Sequence, residues 1–206
     1  MKYLLRILGL LLLSFAGTAH AQELAPEQLV QKITEEVLAA IKSDKQLQSG
    51  DKQRALKLAE EKVLPYVDFE ESTRLAVGRA WSQATPEQRK QLVNEFRNML
   101  VRTYSNAIEG YEGQTLKVLP SRGSSQAKDE ATVRAQFIRS GGKPLPIEFQ
   151  MRKVGPSWKV YDINVEGISL VLTYRSEFDA IVKQQGIDGL IKQLTQKNAP
   201  PPGIKK

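Results

Sequence analysis

Three stretches of strict alternation, close together in the second half of the chain, limit its fold more than any other feature. In Glu130–Arg139, Ala131, Val133, Ala135 and Phe137 alternate with Thr132, Arg134 and Gln136. In Leu145–Val154, Ile147, Phe149 and Met151 alternate with Glu148, Gln150 and Arg152. Trp158–Val165 is shorter and rich in β-branched and aromatic residues. Successive side chains of a strand point to opposite faces, so a period of two reads as a strand with one buried face. The connections, Ser140-Gly141-Gly142-Lys143 and Gly155-Pro156-Ser157, are too short for a crossover and demand antiparallel neighbours. Thr115–Leu119, ended by Pro120, supplies one more strand ahead of the polar turn Ser121–Asp129. The expectation is a four-stranded antiparallel meander.

The first half has helical period instead. Ala25–Lys42 carries Leu29, Val30, Ile33, Val37, Leu38 and Ile41 on one stripe. Ser43–Gly50 is a polar linker, and Asp51–Leu64 is a second helix ended by Pro65. Asp68 caps a third, with Glu70 and Glu71 in its first turn, and Gly78 closes it. Thr85-Pro86-Glu87-Gln88 combines a cap, a proline at the first helical position and a capping-box glutamine. The helix it opens is expected to reach about Glu109, with Leu92, Phe96, Met99, Leu100, Tyr104, Ala107 and Ile108 on its apolar face. After the last strand, Glu166-Gly167 breaks the pattern and Ser169 is placed to cap a helix. Leu170, Val171, Tyr174, Phe178, Ile181 and Val182 recur at helical spacing as far as Gly186, and Asp188 is placed to cap a short last helix. The class is therefore α+β, with helices on one face of a twisted sheet and charge on the other. Residues 22–197 read as a single domain, and 198–206, with three consecutive prolines, as a disordered tail.

Residues 1–21 read as an export signal. Lys2 and Arg6 precede the apolar run Ile7–Gly17, which is short for a bilayer span, and Ala19-His20-Ala21 is a small-x-small cleavage site. Cleavage after Ala21 is expected; the rival is an uncleaved anchor. The 206-residue chain has no cysteine, so it offers neither a lipoprotein anchor nor a disulfide framework, and its stability must come from a core. Of its 30 basic residues two lie in the signal, leaving 28 against 23 acidic ones. An exported chain seldom meets nucleic acid, so no nucleic-acid partner is expected. The basic residues Arg122, Lys128, Arg139, Lys143, Arg152, Lys153 and Lys159 suit acidic partners or an anionic membrane surface, or simply solvent.

Much chemistry is missing. The only histidine, His20, lies in the signal, so Cys/His zinc sites, histidine triads and cysteine nucleophiles are not expected. Neither GxxxxGK[ST] nor GxGxxG occurs. The acid pairs Glu35-Glu36, Glu60-Glu61 and Glu70-Glu71 lie on helices, where neighbours point about 100° apart and cannot share a substrate atom. Asp162 and Glu166 either cap a turn, pair with a cation or orient a polar ligand. No cofactor is expected, and an enzyme reading would rest on these carboxylates alone.

The order of motifs carries a resemblance. Val63–Phe69 (VLPYVDF), Gly78–Gln88 (GRAWSQATPEQ), the helix Phe96–Tyr111, Trp158–Val171 (WKVYDINVEGISLV), Tyr174–Phe178 (YRSEF) and Gly186–Ile191 (GIDGLI) together resemble the MlaC, or toluene-tolerance, family of periplasmic phospholipid-binding proteins. The resemblance implies an NTF2-like sheet with a helical part, enclosing a cavity for acyl chains. It implies a carrier rather than an enzyme, moving glycerophospholipids between an outer-membrane lipoprotein complex and an inner-membrane ABC transporter with an MCE-domain subunit, and supporting solvent tolerance. Alternation and stripe cannot tell a hollow core from a filled one. On the carrier reading the tail contacts are Phe96, Leu100 and Tyr104 of the long helix, Val133, Ala135, Phe137, Ile147, Phe149 and Met151 of the sheet face that meets it, and Val160, Val165, Val171, Tyr174 and Phe178 beyond. Arg175 is expected to form an ion pair tying the last helix to the sheet. The alternative is a periplasmic protein-binding adaptor with a solid core.

Overall fold

The structure, a computed structural model, describes residues 24–105, 113–120, 128–139 and 141–199. The signal, the end of the long helix beyond Ser105, Arg122 and residues 200–206 of the tail lie outside them. The sheet forms as the alternation requires: β1 (Thr115–Val118), β2 (Glu130–Ile138), β3 (Leu145–Val154), β4 (Ser157–Val165) and β5 (Ile168–Ser169), antiparallel and in chain order. Val133 pairs with Phe149 and Phe149 with Ile163, while Ala135 pairs with Ile147 and Ile147 with Val165, so the apolar positions share one face.

The sheet has five strands where four were expected. Glu166-Gly167 does not end the sheet. With φ of 53° and 82° the two residues make a two-residue hairpin turn, left-handed at both positions, and β5 folds back on Asn164 and Val165. A register shift breaks the β3–β4 ladder: Met151 pairs with Val160 but Gln150 with Asp162, leaving Tyr161 as the extra residue. Such a bulge bends its strand and re-aims side chains.

Seven helices accompany the sheet among the described residues: α1 (Pro26–Ser43), α2 (Lys45–Gln48), α3 (Lys52–Lys62), α4 (Phe69–Val77), α5 (Ala80–Gln83), α6 (Pro86–Ser105) and α7 (Arg175–Asn198). Their starts follow the sequence signals. The Asp51 carboxylate accepts from the Gln53 and Arg54 amides, Asp68 from the Glu71 amide, and Thr85 and Gln88 bond reciprocally at 3.2 and 3.0 Å. Ser169 Oγ accepts from the Leu172 amide and opens a 3-10 turn, Leu172–Tyr174, that leads into α7. Gly186 (φ 71°, ψ −177°) is non-helical and interrupts α7 as the sequence predicts, dividing it into two helical segments at a kink, and Asp188 just beyond it accepts from Gln88 Nε2 across to α6. Among the described residues no helix is long and apolar enough to cross a membrane.

Three apolar clusters hold these parts. Leu29 and Val30 of α1 lie over Ala131, Val133 and Met151 of the sheet. Leu92, Phe96 and Met99 of α6 pack on Ala76 and Val77 of α4 and on Phe178, Leu190 and Leu194 of α7. Ile41, Leu47, Ala55 and Leu58 bind α1, α2 and α3 together. The helix over the sheet face is thus α1. The α6 stripe, expected there, packs chiefly on α7, α4 and α3. The amphipathic stripe of α1 was readable in the sequence, but a stripe does not say which apolar face it covers.

Candidate functional site

The three clusters leave a space between them that none fills. It is a cavity of about 270 Å³. Ala59 and Val63 at the end of α3, Leu64 and Val67 beyond it, and Phe69 of α4 form one wall. Leu100, Val101 and Tyr104 of α6 form the second, and Val160–Ile163 of β4 with Leu170 and Val171 form the third. Four consecutive residues of one strand border the same space because the bulge at Tyr161 interrupts the alternation. Ser72, Asp162 and Val171 are buried at the bottom, and Tyr104, 38% exposed, marks the mouth.

The polar atoms of this lining are already taken. Ser72 Oγ donates to the Tyr161 carbonyl at 2.7 Å and lies 2.8 Å from that of Asp68. Asp162 accepts from the Ile163 amide at 2.8 Å, the Ser169 hydroxyl at 2.5 Å and the Val171 amide at 3.2 Å. It therefore fixes the β4–β5 hairpin and the chain leaving it, and needs no ligand to satisfy it. Burial, with a hydrogen bond to Tyr174, pushes the Tyr104 phenol up to about 12, and burial also raises that of Tyr161. Both phenols stay neutral at any physiological pH. The interior is uncharged apart from one fully hydrogen-bonded carboxylate, and it favours an apolar guest.

One ion cluster ties the wall at α4 to the sheet. Arg152 on β3 pairs with Asp68 at 2.5 Å and with Glu71 at 3.3 Å, and Glu71 pairs with Arg74 at 2.5 Å. The Asp68 amide also donates to the Val160 carbonyl at 2.8 Å. Arg152, one of the basic residues expected to face partners or solvent, instead docks the helical part on the sheet. Arg175, expected to do that docking, forms no ion pair among the described residues; its guanidinium lies against Gly78.

The residues chosen from sequence separate into groups. Leu100, Tyr104, Val160 and Val171 border the cavity. Phe96, Tyr174 and Phe178 form an aromatic trio with centroids 5.4–5.8 Å apart in the helical core behind it. Val133, Phe149 and Met151 belong to the cluster beneath α1. Ala135, Phe137, Ile147 and Val165 continue that sheet face away from the cavity lining. The wall from Ala59 to Phe69 went unread. Its signal was Val63–Phe69, an apolar run around Pro65 that neither period explains.

No group of histidine, cysteine or acidic side chains among the described residues is arranged to hold a metal ion. Comparison with known proteins places this architecture. Residues 31–196 match the family described as MlaC protein. A curated relative from Haemophilus influenzae, the intermembrane phospholipid transport system binding protein MlaC, is 26% identical over 199 residues, 95% of this chain and 92% of that one. The toluene tolerance protein ttg2D of Pseudomonas putida is 28% identical over 165 residues, 79% and 75% of the two chains. A solved structure of a phospholipid-binding protein from Ralstonia solanacearum, in complex with a phospholipid, superposes with a TM-score of 0.75 at 35% identity, covering 84% of this chain and 96% of that one. With the α+β architecture in common and the match running through most of its length, this chain belongs to the MlaC family.

Proposed function

We propose that this chain is a periplasmic carrier of glycerophospholipids, exported by residues 1–21 and cleaved after Ala21. The observation that carries the proposal is an apolar cavity whose few polar atoms are bonded to the protein itself. A phospholipid with two sixteen-carbon chains exposes some thirty methylenes, and at about 0.8 kcal/mol each its release into water costs on the order of 20 kcal/mol. A carrier has only to replace bilayer by an equally dry surface, so that transfer in either direction stays near balance. Leu100, Tyr104, Val160 and Val171, joined by Phe69, Val101 and Ile163, are the proposed tail contacts. The cavity lies just below the range of about 300–1,000 Å³ usual for ligand sites, so two full chains require the walls to part. The phospholipid held by the Ralstonia relative supports this reading.

No reaction is assigned to the site, since its one buried carboxylate already serves its own backbone. The name of the Haemophilus relative supports a place in an intermembrane transport system; the partners proposed at its two ends are an outer-membrane lipoprotein complex and an inner-membrane ABC transporter with an MCE-domain subunit. The test is lipid extraction and denaturing mass spectrometry of the purified protein lacking residues 1–21. Phospholipid is expected in the extract at near one molecule per chain. A protein that carries none, and takes none from liposomes, would remove the basis of the proposal.

A further inference from the structure

A second concavity lies at the other end of α4. Its volume is about 540 Å³, and it sits between the α4–α5 corner and the start of α7. Val77, Ala80 and Val182 make an apolar floor, and Arg79, Arg175 and Lys183 stand exposed around it. Lys183 is neutralised by Asp179 at 2.6 Å. Arg79 and Arg175 are not: among the described residues neither has an ion pair or a side-chain hydrogen bond.

Arg175 lies over the end of α4. Gly78 closes α4 with φ 65°, and a Cβ built on it would stand 2.9 Å from Nη2 and 3.1 Å from Nε of Arg175. The guanidinium therefore presses on bare backbone at the C-terminal end of a helix, where the carbonyl dipoles favour a cation. The positive φ at Gly78 is what favours glycine there. Among the described residues the Arg175 fork of donors has no carboxylate to receive it, and it borders a concave and partly apolar site.

We infer that this groove docks an acidic segment of a partner protein, one that sets a carboxylate on Arg175 and Arg79 and an apolar side chain on the Val77–Ala80–Val182 floor. The charge around the groove selects an anion, and the concavity selects a protruding chain over a flat bilayer. An apolar floor adds nothing to the capture of a free phosphate. From Ser72, at the bottom of the first cavity, to Gly78 is six residues, about 9 Å along the helix. A partner seated here need not touch the cargo, so the inference stands or falls independently of what fills the first cavity.

The test uses isotope-labelled protein lacking residues 1–21 and, as probe, the blocked peptide Glu-Leu-Asp-Leu-Glu against its uncharged Gln-Leu-Asn-Leu-Gln isostere. Saturable amide shifts are expected at Gly78, Arg79, Gln83 and Ser176 with the acidic peptide, falling off with salt. Arg175→Gln and Arg79→Gln should each weaken binding about tenfold while leaving the melting temperature and lipid content unchanged. Lys183→Gln, which removes an already paired charge, should change it less than threefold. The inference is overturned if the isostere shifts the same amides, if neither arginine substitution weakens binding, or if inorganic phosphate or phosphatidylglycerol vesicles reproduce the response in full.

Discussion

Removing the lipid should cost this protein stability in proportion to the space left behind. The cavity is about 270 Å³, and empty apolar volume costs about 24 cal/mol per Å³, which gives a ceiling of about 6 kcal/mol. The space is open at Tyr104, so water entering there and partial collapse of the walls reduce the figure, to about half. For a chain of this size 1 kcal/mol moves the midpoint by roughly 2–4 °C, so about 3 kcal/mol corresponds to about 6–12 °C. The assay is calorimetry on protein as purified, after delipidation, and after reloading from liposomes. The midpoint should fall by that amount and return on reloading, as binding to the native state alone requires. Val101→Trp, which places an indole in the space, should raise the midpoint of the empty protein and lower lipid uptake together. Loaded and empty protein melting within 2 °C of each other, or Val101→Trp gaining stability with lipid content intact, would refute the reasoning.

Three further outcomes follow from the lining and its supports. Ile163→Arg puts a charge into the cavity wall and should reduce copurified lipid at least tenfold, read by mass spectrometry, with the far-ultraviolet circular dichroism unchanged. Arg152→Leu leaves the buried Asp68 without its cation, while Glu71 keeps Arg74, and should destabilise the protein by about 2 kcal/mol in urea melts, the loss of one charge-assisted contact to a buried carboxylate. Tyr104 has its phenol raised above the ordinary 10 to about 12, so its neutral form is favoured by folding; that contribution is complete below pH 10 and lost as pH rises from 10 through 12. Tyr104→Phe should therefore flatten the decline of the melting midpoint over that alkaline window.

The fold was legible because its strongest signals are local. The alternation of Ala131–Phe137 and Ile147–Met151 has one reading as strand, and the capping pairs at Asp51, Asp68 and Thr85 each bind backbone amides within three residues. The fifth strand was missed because Glu166 in a left-handed turn is uncommon for a residue with a side chain, and Glu-Gly lacks the usual Asn or Asp signal. The same limit explains the cavity. Phe96 and Leu100 lie one turn apart on one stripe, yet Phe96 is fully buried among Tyr174 and Phe178 while Leu100 borders the cavity. No local pattern separates them, because what separates them is which helix comes to lie opposite.

That difference bears on how a carrier of this kind is built. An apolar stripe that is satisfied along its whole length makes a core, and one left unsatisfied over a single turn makes a site. Here α6 is closed at Leu92, Phe96 and Met99 by α4 and α7 and opens at Leu100, Val101 and Tyr104, where the bulged strand stands off instead of packing. The rigid part and the receptive part are thus consecutive turns of one helix. Asp162 holds the receptive side by bonding the β4–β5 hairpin to Val171, and the Arg152 cluster holds α4 to β3. Both anchor the cavity walls through polar contacts made within the protein. An apolar guest therefore competes for none of the hydrogen bonds that the lining makes within the protein, which keeps the cost of its entry and exit low.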